Sequence, residues 1–353
     1  MQFKQAIFII SIALSYLVSI GLYSQSDENK FRMEIEMHGY ENDTVYFVNY
    51  YQGNNYKLDS CVLSPKGKGC FELEAAKVPG GQYMLYVKPD FQIEMLIDEG
   101  QTDLNVKIAK DLSRSTVVGS PDTQGYWYYL NELKKIDSKR DALNTKLEIV
   151  KNKSKQIKIQ SEIDDLGEEI DKLTLKVVEE NKGSFLSVYL KGTIPIELPE
   201  SFKDSQVGNE DVRAYVREHY LDNLDMADPR LQRTNYFYSL IDNYISNWVK
   251  PDWIAIPEAY SQLVAKSQSN QKAFEQLLSA FLTISLNSSV MGMENVWARL
   301  AEDYIFGKEI NMSEKDIQQL EVKYDQIKLN RIGMIAPELK SKTRTGDDLN
   351  LWE

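Results

Sequence analysis

The hydrophobic period of this chain changes once, near residue 120, and that change sets what it can fold into. Before it, Phe31, Met33, Ile35 and Met37 alternate with Arg32, Glu34, Glu36 and His38, and Phe91, Ile93, Met95 and Ile97 alternate with Gln92, Glu94 and Asp98. A period of two puts one set of side chains on one face of a strand. Residues 44–50, 58–63, 70–74 and 82–87 read the same way, separated by Gly, Pro and Asn turns. Seven or eight short strands at this spacing predict an antiparallel β-sandwich or barrel over residues 30–120.

After residue 120 the apolar spacing becomes three and four. Leu143, Leu147, Val150 and Ile157 follow one register, and Ile159, Ile163, Leu166, Ile170, Leu173 and Val177 follow another. The break between them, at residues 151–154, predicts a helical hairpin over 121–182. Its narrow stripes are expected to pack on each other rather than on a partner. Residues 183–330 read as a mostly α-helical domain, with an extended proline-bearing link at 194–199. Its helices fall near 211–223, 234–248, 257–266, 271–286, 293–306 and 314–330. The fold class is therefore α+β and multidomain, which 353 residues with 42% hydrophobic and 27% charged can support.

The formal charge of −12 argues against nucleic acid or an anionic membrane surface as partner. Lys4, the apolar run 6–22 and the small residues near Ser24 predict a signal peptide over 1–25. Export would deliver the protein to an oxidising, periplasmic compartment. An uncleaved signal is the alternative, and would make the protein membrane-anchored through that segment alone.

Cys61 and Cys70 are the only cysteines. A four-residue loop over 64–67 places them directly opposite each other, within disulfide range, and predicts a structural bond. A five-residue loop breaks that register and leaves two small apolar residues. Their spacing is not that of a redox Cys-x-x-Cys, so no catalytic role is expected. With only His38 and His219 as histidines, neither a metal site nor a catalytic triad is expected, nor any cofactor. Asp222, Asp225 and Asp228 could share a cation, but Asp228 before Pro229 is expected to cap the next turn. Tyr236, Phe237, Tyr238, Tyr244, Trp248 and Trp253 could line a groove, but their helical spacing favours core packing.

Residues 331–353 have an apolar entry at 332–335, then Ala336-Pro337, a polar strand at 338–343, the turn Thr345-Gly346-Asp347, and alternating Leu349 and Leu351. This predicts a β-hairpin. The pattern resembles the opening of the thioredoxin-like domain of envelope thiol–disulfide oxidoreductases (TlpA/AhpC-TSA-type), which begins Gly-x-x-Ala-Pro, strand, Gly turn, strand. Gly333, Ala336, Pro337, Gly346 and Leu349 occupy the matching places. Two further resemblances run in the same order. Gly39, Asp59-Ser60, the Gly turn before Phe71 and Val117-Val118-Gly119-Ser120 look like a small β domain of unknown function that precedes such domains. REHYLDNLDMADPRLQRT from Arg217 and NSSVMGMENVWARLAEDY from Asn287 resemble the helical domain of unknown function between the two. Lys182 after Asn181 departs from the Asn-Pro that usually follows the helical hairpin.

The resemblance implies that 331–353 is the truncated start of a thioredoxin-like domain whose redox dithiol is missing here. The chain is then expected to be a non-catalytic accessory region, serving substrate recognition, positioning or assembly, and not an enzyme as it stands. The partners implied are envelope protein substrates or a second copy. The alternative is a stand-alone periplasmic binding or structural protein.

Overall fold

The computed structural model describes residues 30–89, 91–202, 210–308, 313–335, 338, 340–346 and 348–350. The expected signal peptide and the motif residues Ala336 and Pro337 lie outside them. Among the described residues no helix is long and apolar enough to cross a membrane.

Eight strands come first: β1 (Lys30–Met37), β2 (Thr44–Tyr51), β3 (Asn54–Val62), β4 (Lys68–Glu74), β5 (Gly81–Val87), β6 (Phe91–Ile97), β7 (Asp103–Ile108) and β8 (Thr116–Val118). They form two four-stranded sheets, in the orders β4-β1-β7-β8 and β3-β2-β5-β6. The alternation of β1 does what its period demands: Phe31, Met33, Ile35 and Met37 are all buried while Arg32 and Glu34 are not. The two sheets meet through aromatic side chains. Phe47 of β2 stacks on Phe31 of β1 at 5.7 Å between ring centroids and tilts against Phe71 of β4 at 5.5 Å.

The purely antiparallel arrangement expected from the sequence is corrected at one place. β1 pairs antiparallel with β4 but parallel with β7, in the register Arg32↔Asp103 to Met37↔Ile108. Parallel pairs need a long crossover, and here the second sheet supplies it: the chain passes through β5 and β6 before β7 returns beside β1.

The chain then enters α1 (Pro121–Ile149), followed by α2 (Lys153–Glu180), α3 (Phe185–Lys191), α4 (Glu210–His219), α5 (Phe237–Asn247), α6 (Ala255–Ser267), α7 (Gln271–Asn287), α8 (Met293–Tyr304) and α9 (Glu314–Ile327). The start of α1 is fixed chemically. Pro121 suits the first helical position, where no N–H is needed. Ser120 and Thr123 hydroxyls both donate to the Leu96 carbonyl, at 2.8 and 2.6 Å, and Trp127 Nε1 donates to the Glu94 carbonyl at 2.7 Å. Side-chain caps start four other helices: Asn152 accepts from the Lys155 N–H, Ser184 from Ser187, Asn270 from Ala273 and Ser313 from Asp316.

By its internal packing the chain divides into two compact units. One holds the described residues up to 48 with 57–80 and 84–128; the other holds 49–56, 81–83 and 129 onward. In the second unit, the strand segments 49–56 and 81–83 lie against residues 233–238. The Arg233 guanidinium sits 4.8 Å over the Tyr51 ring, and Gln82 Oε1 accepts the Asn235 N–H at 2.8 Å. Gly81 is required by that approach, because a Cβ there would lie 2.7 Å from Arg233 Cβ. The helical core centres on Trp297, Leu277, Val264 and Phe281, with Tyr260 edge-on to Phe281 at 4.8 Å.

Candidate functional site

The register expected for Cys61 and Cys70 does not form. The connecting turn is closed by Ser64 N–H to the Lys68 carbonyl and by Gly67 N–H to the Ser64 carbonyl, both 2.8 Å, which leaves three residues in the loop instead of four. β3 and β4 then diverge into different sheets. Strand alternation does the rest. Gly69 faces Cys61, with room for no side chain between them, while the neighbouring Cys70 takes the opposite face beside Glu34. Both cysteines are free, and the expected disulfide is corrected accordingly.

Burial pushes the Cys61 thiol up to about 11, and burial also raises Cys70. Reactive thiols are tuned the other way, by helix N-termini or cationic neighbours. Both cysteines belong to strands. They are protonated, weakly nucleophilic groups at neutral pH.

The three aspartates are each consumed locally. Asp222 pairs with His219 at 2.6 Å, Asp225 accepts the Ala227 N–H at 2.9 Å, and Asp228 caps Arg230 N–H at 2.9 Å while holding its guanidinium at 2.6 Å. Among the described residues, no group of three or more His, Cys, Asp or Glu is placed to hold a metal. The aromatic run is dispersed. Phe237 is fully buried, Tyr236 donates to the Tyr189 carbonyl at 2.8 Å, and Tyr244 stacks on Tyr220 at 5.9 Å. Trp253 does something else.

Trp253 receives the C-terminal segment. Gly333 has a φ of +89°, and a Cβ there would clash with the edge of the Trp253 ring, at Cη2, Cζ3 and Cε3. Asn295, at the start of α8, donates through Nδ2 to the Ile332 carbonyl at 3.0 Å and to the Trp253 carbonyl at 3.4 Å, which fastens the two segments together. One residue earlier, Arg331 pairs with Glu302 at 2.9 Å, and its guanidinium lies 5.6 Å over the Tyr324 ring. Tyr324 donates to the same Glu302 carboxylate at 2.6 Å; that bond, then burial, raises its hydroxyl pKa. Asp252, next to Trp253 in the chain, fixes the local turn into α6. Its carboxylate accepts N–H bonds from Ala255 at 2.6 Å and Ile254 at 2.9 Å, and with Lys250 these hold it down to about 2.

Past this anchor, β9 (Lys340–Lys342) pairs antiparallel with β10 (Asp348–Asn350), the expected hairpin, and Gly346 takes its turn with φ +95°. Of the motif residues, Gly333 and Gly346 thus have positions only glycine fills easily. Of the residues that hold 331–333, Trp253 was read from the sequence only as part of the aromatic run, and Asn295, Glu302 and Tyr324 were not identifiable from it. They come from the loop before α6, from α8 and from α9, and no single local pattern joins them.

No family model and no curated protein matches the sequence. Among solved structures, the chain is similar to a crystal structure of a thioredoxin-like protein from Bacteroides caccae ATCC 43185. The identity is 18% and the TM-score 0.31, over 45% of this chain and 56% of that one. The chain thus spans little more than half the length of that relative, and a likeness this slight carries no argument about activity.

Proposed function

We propose that this chain is the non-catalytic accessory region of a periplasmic thioredoxin-like thiol–disulfide oxidoreductase, and that it holds the entry to the redox domain at Gly333. The observation that carries this reading is the anchor. A segment with the Gly-x-x-Ala-Pro pattern is fixed at its glycine against Trp253, with hydrogen bonds and an ion pair on the residues just before it. A rigid attachment of this kind orients whatever domain is built on the hairpin that follows. The chemistry of the remaining chain agrees: its thiols have raised pKa values and occupy strands, the reverse of an activated dithiol. Export by the segment 1–25 places the protein with envelope substrates.

The test is dithiol-driven reduction of insulin by the purified chain. No turnover above the uncatalysed rate is expected. Turnover abolished by Cys61→Ser or Cys70→Ser overturns the accessory reading and makes the β unit an enzyme.

A further inference from the structure

The helical hairpin of α1 and α2 is underpacked toward its turn. From residue 137 to residue 165 no side chain is fully buried. Leu143, Leu147, Val150, Ile159 and Ile163 are only half-buried, while Ile149 and Ile157 are 73% and 65% exposed. Nearer the base the same hairpin does bury Ile136, Leu166 and Val177, so the deficit belongs to the turn half. Two helices alone cannot enclose an apolar seam, and stability at such a seam comes from a third or fourth helix.

Charge is segregated along the same half. Residues 142–161 carry Lys146, Lys151, Lys153, Lys155 and Lys158 against Glu148 alone. All five lysines are exposed, and none has a carboxylate partner among the described residues. The next ten residues, 162–171, carry Glu162, Asp164, Asp165, Glu168, Glu169 and Asp171 and no cation. Among the described residues, only Glu168 and Glu169 of these are ion-paired, with Lys172 and Lys139. A basic turn therefore lies about 15 Å along the helix axis from an acidic stretch.

We propose that this half of the hairpin is the docking surface for a second copy of the chain. The lysine-rich turn of each hairpin lies on the carboxylate-rich stretch of the other, about a two-fold axis near Gln160. The two-fold arrangement satisfies both charged regions at once and closes a four-helix seam over Ile149 and Ile157. An anionic lipid surface fits less well, because the acidic stretch would be repelled by it.

Sedimentation equilibrium of the full chain at low and high salt tests the surface. A dimer is expected at low salt, weakened by added salt. Reversing the turn charges (Lys151→Glu, Lys153→Glu, Lys155→Glu) should raise the dimer Kd by about tenfold or more, since several modest exposed pairs are lost together and replaced by repulsion. Adding Glu162→Lys, Asp165→Lys and Asp171→Lys to the same chain should restore association, a rescue that general damage to the hairpin cannot produce. A monomer at every concentration, a dimer indifferent to the reversal, or lysine-dependent binding to anionic vesicles by a chain that stays monomeric would each overturn the proposal.

Discussion

Gly333→Ala tests whether the C-terminal segment is truly fastened to the helical unit. Two costs arise at once. A left-handed backbone costs an L-residue about 1–2 kcal/mol. The new methyl also clashes with the ring carbons of Trp253, and relieving such overpacking costs about 1–3 kcal/mol more. Against this, the hydrogen bond from Asn295 to the Ile332 carbonyl contributes about 0.5–1.5 kcal/mol, and the Arg331–Glu302 pair adds a similar amount. The penalty equals or exceeds what the anchor supplies, so the segment should detach while the core stays folded. Native-state hydrogen exchange reads this directly at Met334, whose N–H donates to the Arg331 carbonyl. A loss of about 2 kcal/mol predicts roughly 30-fold faster exchange there, with faster tryptic cleavage after Arg331. Amides of α7 and α8 should keep their protection. Unchanged exchange at Met334, or a loss shared equally by α7, would refute the anchor.

Two further predictions concern titratable groups. Without reductant, denatured protein should show two alkylatable thiols by mass spectrometry; in the native protein Cys61 should react appreciably only as pH approaches 11, because its raised pKa keeps it protonated below that. A linked pair of peptides, or fast Cys61 alkylation at neutral pH, would contradict this. Asp252, whose carboxyl is held down to about 2, contributes stability that is present above its unfolded value of about 3.9 and is lost as pH falls through 2. Thermal unfolding of Asp252→Asn should therefore lie below wild type at neutral pH and converge with it at the acid end; parallel curves would show that the ionised carboxylate plays no such part.

The strands were legible because a period of two is local: Phe31, Met33, Ile35 and Met37 go where their alternation sends them, although in β6 Leu96 is buried along with Met95 and Ile97. The parallel pairing of β1 with β7 was not, since nothing within either strand names its neighbour. At the cysteines a single turn residue decided the outcome. Closing the loop at Ser64 instead of Leu63, with Lys68 opposite in either case, sends Cys70 to the opposite face from the one that meets Cys61. Helix α3 was missed because seven residues are too few to show a period, although Ser184 caps it as a sequence reading could have noticed. The motif glycines Gly333 and Gly346 could be read from the sequence, but the groups that clasp Gly333 are gathered by tertiary packing. The lysine turn was visible throughout, yet a net charge of −12 averages it away. Global charge excludes partners only for a surface on which the charges are mixed.

The central claim is that these two units serve a thioredoxin-like redox domain entered at Gly333. Mass-spectrometric mapping of the native protein, isolated from its own cells through peptides of residues 210–308, tests it most directly. The account predicts that the same polypeptide also yields a peptide with Cys-x-x-Cys, C-terminal to the hairpin of β9 and β10. A native polypeptide that ends at Glu353 and carries no such dithiol would contradict it.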